Sequence, residues 1–177
     1  PSCSAKRMSE TTAHLIDNVL PKVPYRQWVT TFPYALRFWL AANRHLTNAV
    51  HKIVTKMITH YYEAKAEEAG IKSPIAGGVT FVQRFGSALQ ISPHLHSVAI
   101  EGVYSVAGGA PVFYHLPGPT NEEVADVISA IADVVIQMLR KKGYLKAEGT
   151  EVAYGDIPLD KIYRENESLT EAMAASA

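Results

Sequence analysis

The order of periodic segments predicts an α+β fold: a largely antiparallel sheet with the His94-Leu95-His96 strand at its centre, covered by two long helices. Three observations predict it. Two segments, about 43–69 and 121–142, repeat apolar residues at helical spacing. Between them lie runs rich in β-branched and aromatic residues, separated by glycine turns. One more such run precedes the first long helix, giving the order β–α–β–β–β–α.

Each element follows from its residues. Glu10 to Val19 predicts a short helix, stopped by Pro21 and Pro24. Trp28 to Phe32 reads as the first strand, closed by Pro33, and Tyr34 to Leu40 as a short aromatic helix carrying Arg37. From Asn43 to Ala69, Leu46, Ala49, Val50, Ile53, Val54, Met57, Ile58 and Tyr61 make one buried stripe. Lys52 and Lys56 fall on a wetter face, and Gly70 ends the helix as its cap. Val79 to Phe85 is a strong strand, and Ala88 to Tyr104 supplies the next strand or a bent pair. Gly108-Gly109 turns the chain into a strand over Pro111 to Leu116. Thr120 and Glu123 form a capping box, and the helix it opens carries Val124, Val127, Ile128, Ile131, Val134, Val135, Met138 and Leu139 before Gly143. The polar residues beyond have no clear period.

Composition bounds the function classes. With 177 residues, 47% hydrophobic and 19% charged, the chain has the makings of one ordinary globular domain, not of a disordered segment. No apolar run approaches the roughly eighteen residues of a membrane span and no signal peptide opens the chain, so a cytoplasmic protein with no membrane partner is expected. Cys3 is the only cysteine, which excludes an internal disulfide. Charge is uneven: eleven Lys and Arg stand against five Asp and Glu through Arg84, and six against twelve beyond it. A basic half attracts a phosphate backbone, although a solvated helix face accounts for many of the same charges.

His94 and His96 are two apart on a strand, so they share a face while Leu95 points into the core, with Ile91, Val98 and Ile100 completing a buried strand. Their Cα atoms then lie roughly 6.5–7 Å apart, a spacing from which two imidazoles can converge on one divalent ion. By spacing alone, such a pair of strand histidines more often binds nothing. A third ligand decides the matter. Gln83 on the preceding strand leads, because an amide oxygen suits Mg²⁺ or Mn²⁺; Gln90 and His115 are weaker candidates, and Glu101 could act from behind the ligands.

The longer string Gln83-Arg-Phe-Gly-Ser-Ala-Leu-Gln-Ile-Ser-Pro-His-Leu-His-Ser-Val-Ala-Ile-Glu-Gly-Val-Tyr104 resembles the core of the insertion-sequence-91 family of rolling-circle transposases, members of the HUH endonucleases. His14 to Pro21, Val23 to Val29 and Phe32 to Arg37 are similar to the same family's nuclease domain. The resemblance implies that His94 and His96 hold a divalent ion, Mg or Mn, that polarises a scissile phosphate, and that the partner is single-stranded DNA at transposon ends. It implies a tyrosine nucleophile from a pair four residues apart on a later helix. The tyrosines after His96 are Tyr104, Tyr114, Tyr144, Tyr154 and Tyr163, and no two have that spacing. It also implies an N-terminal zinc module, of which Pro1-Ser2-Cys3 resembles the closing knuckle.

The expected organisation is therefore residues 1–20 as a zinc-module junction with a short helix, 21–147 as a partial HUH nuclease core, and 148–177 as a polar connection. Arg84, Arg37, Lys52 and Lys56 are the expected DNA contacts, with Trp28, Tyr34 or Trp39 available to stack on bases, although Trp28 and Phe32 suit a core better. His51 and His60 are nine apart on the long helix and read as surface or boundary residues; Tyr61-Tyr62 precedes the histidine pair, the wrong order for the family's nucleophile. Two other readings stay open: a degenerate DNA-binding module with an idle site, and an unrelated His-x-His metalloenzyme. Oligomeric state is not legible.

Overall fold

A computed structural model of the chain describes residues 2–86, 90–107 and 109–145. Helix α1 (Ser2–His14) runs into a single π-helical turn over Leu15–Val19. Then come β1 (Tyr25–Thr31), α2 (Tyr34–Ala42), α3 (Arg44–Glu68), β2 (Gly78–Phe85), β3 (Ile91–Ile100), β4 (Gly102–Ala107), β5 (Ala110–His115) and α4 (Asn121–Lys141). Strands β1, β3 and β2 form an antiparallel sheet in that order, so the histidine strand is central, and the class is α+β. No described helix is long and apolar enough to cross a membrane.

The sheet is smaller than a single five-membered one. β4 and β5 pair with each other as a separate two-stranded sheet, and Tyr104 of β4 makes an isolated antiparallel bridge with Ile75. The break falls at Gly102, where φ is 157° and an added Cβ would overlap the Tyr114 carbonyl oxygen. Glycine thus ends β3 and turns the run 91–107 into two strands rather than one. The first helix also begins earlier than its sequence boundary at Glu10, because Ala5, Lys6, Arg7 and Met8 are strong helix formers with no breaker among them. Cys3 lies within this helix, and its side chain is outside the described residues, as is the polar segment 148–177.

Two ladders at four-residue spacing make the core. On α3 the fully buried positions are Leu46, Val50, Val54, Ile58, Tyr62 and Ala66. On α4 they are Val127, Ile131, Val135 and Leu139. The predicted stripe on α3 is therefore rotated slightly: Tyr62 is buried outright, while Ile53, Met57 and Tyr61 pack against the cluster half-buried. Trp28 donates to the Tyr62 hydroxyl (3.3 Å) and meets both tyrosine rings edge-on, which seats β1 on α3. Phe32 and Trp39 are core residues, so Trp39 is not a stacking platform. Tyr34 is exposed but lies edge-to-face with Phe38.

Helix ends are closed as the sequence indicates. The Asn43 side chain accepts from the Leu46 amide (2.9 Å) and donates to Tyr144 (2.8 Å), which ties the start of α3 to the end of α4. Gly70 takes φ of 81° after α3. The capping box at Thr120 and Glu123 is present, and Glu123 also bonds Lys65 (2.6 Å) on α3. The Lys65 ammonium, then the Thr120 backbone amide, hold the Glu123 carboxyl below its ordinary value of 4.5.

Two outcomes follow. Ile58→Ala should lower unfolding free energy by about 2–5 kcal/mol in urea titrations, whereas Ile128→Ala, at 57% exposed, should change it by no more than about 0.5 kcal/mol. The stability that Glu123 contributes is present above pH 4.5 and lost as pH falls through its lowered folded value. Glu123→Gln should therefore flatten that part of the acid limb, measured by thermal unfolding across pH.

Candidate metal centre

The alternation along β3 sorts its side chains onto two sides. Pro93, Leu95, Ser97 and Ala99 are buried towards the helices, and His94, His96 and Val98 point the other way. Val98 is thus on the histidine side and half-buried, not a core residue as its apolar character suggests; only parity decides this. A chain of hydroxyls fixes the buried side. Thr55 of α3 donates to Thr80 (3.1 Å) and Thr80 to Ser97 (2.9 Å), joining α3, β2 and β3.

Register completes the histidine side. In antiparallel pairing, opposed residues face the same way. Val29 and Phe81 flank His96, Thr31 and Gln83 flank His94, and Gln27 and Val79 flank Val98. The structure therefore brings Gln83 directly opposite His94, as a third ligand requires. The imidazole rings are 4.9 Å apart between centroids, at 62° to one another. His94 Nδ1 donates to the Ser92 carbonyl (2.6 Å), which leaves its Nε2 lone pair free to bind an ion. The Gln83 amide nitrogen is turned to the Phe85 carbonyl (3.4 Å), so its oxygen is the atom available to a cation. Two imidazoles and an amide oxygen are a donor set whose chemistry suits a divalent ion. Among the described residues there is no cluster of three or more His, Cys, Asp or Glu, so any such ion would rest on a neutral donor set.

Other expected contributors lie elsewhere. His115 is on the β5 hairpin, 3.8 Å from Glu101. The Glu101 carboxylate is held by Arg26, whose register partner Ala99 is on the helix-facing side, so it does not support the histidines. Gln90, just before β3, packs over Gly86. Among the basic residues, Lys52 and Lys56 are exposed on α3, in the layer on the other side of the sheet from the histidines. Arg37 spends its Nε on the Phe32 carbonyl (2.7 Å). Arg84 is exposed on β2 beside Gln83, with a bulge between Gln83 and Phe85.

The sequence reading missed two features. Gln27 contacts His96, its amide nitrogen 2.8 Å from Nδ1. Extending the first strand three residues, to Tyr25, would have placed Gln27 on the same side as Val29. Two grooves also line the outer edge of β1 against α4, of about 490 and 350 Å³. The smaller is almost wholly apolar, walled by Phe32, Leu36, Ile131 and Val135. Trp39 also lines it, with an indole N–H that is buried and has no hydrogen-bond partner among the described residues. Neither groove reaches His94 or His96.

Comparison with protein-family models, with curated proteins and with solved structures gives no match.

A site made for binding, not for folding, has a mutational signature. The double variant His94→Ala/His96→Ala should change the stability of the metal-free protein by less than about 1 kcal/mol. Leu95→Ala, between them but buried, should cost about 2–5 kcal/mol in the same urea assay.

Proposed function

We propose that this chain is the metal- and strand-binding core of an HUH-type, insertion-sequence-91-like transposase, acting on single-stranded DNA. The observation that carries it is the grouping of His94, His96 and Gln83 on the uncovered side of the central strand. When bound, an Mg²⁺ or Mn²⁺ ion supplies Lewis-acid polarisation of a phosphate group. His94 and His96 contribute neutral imidazole nitrogens and Gln83 an amide oxygen. With no carboxylate among these donors, the protein leaves the positive charge of the site uncompensated. An anion such as a phosphodiester is the ligand that balances it.

The surroundings suit a nucleic-acid strand. Phe81 and Val29 flank His96 and are 45% and 55% exposed. The exposed Phe81 ring opposite His96 would accept a stacked base, and Arg84, the residue after Gln83, is the basic residue nearest in sequence to take a phosphate. Lys52 and Lys56 lie on α3, on the other side of the sheet from this surface. The strand cleavage itself belongs to a tyrosine pair that the sequence after His96 does not contain. Tyr144, the last tyrosine described, is committed to Asn43 and Trp39. The absence of a third His, Cys, Asp or Glu beside the pair among the described residues favours a second reading, a DNA-binding module whose metal site is idle.

Calorimetric titration with Mn²⁺ tests the first reading. The wild-type chain should bind the ion, and His94→Ala/His96→Ala should not; binding that survives the double change rules the site out. Phe81→Ala should weaken metal-dependent binding of a single-stranded oligonucleotide by about 1–3 kcal/mol, measured by fluorescence anisotropy. DNA binding indifferent to the ion would support the module with an idle site instead. Incubation with the oligonucleotide should give no covalent protein–DNA product.

A further inference from the structure

The two histidines of the pair are held differently. His94 bonds through Nδ1 to a peptide carbonyl, an acceptor that cannot change its polarity, so the Nδ1 proton is fixed and Nε2 stays bare. His96 instead has the Gln27 amide nitrogen 2.8 Å from Nδ1. An amide N–H only donates, so Nδ1 receives this bond in its lone pair. The single proton of the neutral ring then sits on Nε2, the atom that would otherwise bind an ion. One imidazole is ready for a cation and the other is capped.

Gln27 differs from a carbonyl in one respect. A half-turn of its terminal amide exchanges NH₂ for C=O at nearly the same positions, converting the donor beside Nδ1 into an acceptor. Gln27 is exposed and sits on β1, which pairs on one side only, so the amide has room to turn.

We propose that Gln27 is a positioning residue that carries His96 between two tautomers. In the metal-free protein the amide donates to Nδ1 and the proton stays on Nε2. With an ion bound, the Gln27 amide would turn over and accept from Nδ1–H, leaving the His96 Nε2 lone pair free to act as a ligand. The proton leaves Nε2 to water and one returns from water to Nδ1, so the ring stays neutral and no proton is released overall. This inference rests on the reading of the pair as a divalent-ion site.

Gln27→Ala and Gln27→Glu test it, since the first removes the partner and the second, at a pH where it is ionised, only accepts. Mn²⁺ is titrated into wild type and both variants by calorimetry. The His96 tautomer is read in metal-free and Zn²⁺-loaded protein by long-range ¹H–¹⁵N correlation at about pH 8.5, where a histidine of ordinary pKa is neutral. Wild-type His96 should carry its proton on Nε2 without metal and on Nδ1 with it, while His94 keeps Nδ1–H throughout. Gln27→Ala should bind Mn²⁺ roughly 10-fold more weakly and lose the tautomer preference. Gln27→Glu should show Nδ1–H already in the metal-free form and bind at least as tightly as wild type. Equal Mn²⁺ affinity in all three proteins, or Nδ1–H on His96 of metal-free wild type, would overturn the role of Gln27 alone. Failure of wild type to bind either ion would overturn the metal reading and this inference together.

Discussion

The burial of Leu95, Ser97 and Ala99 against the helices is the constraint on which the rest depends. A strand has only two sides, so seating those three residues inward commits His94 and His96 outward. A register slip of one residue would bury both imidazoles and expose Leu95. The hydroxyl chain from Thr55 through Thr80 to Ser97 works against such a slip, because its bonds are made only when β2 and β3 are aligned as they are. Folding energy and site geometry are set by the same alternation.

The helix layer serves this arrangement from behind. α3 and α4 meet through their ladders and are cross-linked at one end by Lys65 and Glu123 and at the other by Asn43 and Tyr144. Trp28, on Tyr61 and Tyr62, brings β1 into the same body. Nothing of this layer reaches around to cover the histidine side among the described residues. The sheet therefore has one side that stabilises and one side left for a ligand.

Much of this was legible in the sequence, for physical reasons that also mark where it stopped. Helical spacing located α3 and α4, and the Thr120–Glu123 signature placed a boundary to the residue. Parity alone put His94 and His96 together. The same parity, taken one step further, shows that charges on the helices cannot share their side, since Leu95 points at those helices; Lys52 and Lys56 follow. Parity also moves Val98 outward against its apolar character. Partners across strands were a different matter. Gln83 faces His94 only because of the pairing register of β2 on β3, which no short motif dictates. Gln27 is 69 residues from His96, and no local pattern links them. The split of residues 91–107 into two sheets turned on a single glycine whose φ could not be read from its neighbours.

The order of the strands has a dynamic consequence. The histidines are on the central strand of the three-stranded sheet, while Gln27 and Gln83 sit on its two edge strands. Edge strands open locally at lower free energy than the centre of a sheet, and their amide protons exchange sooner. The imidazoles are thus held by the most protected part of the sheet and the two amides by its margins. A ligand shell built this way has stiff anchors and adjustable flanks, and it can tighten around different occupants without disturbing the core.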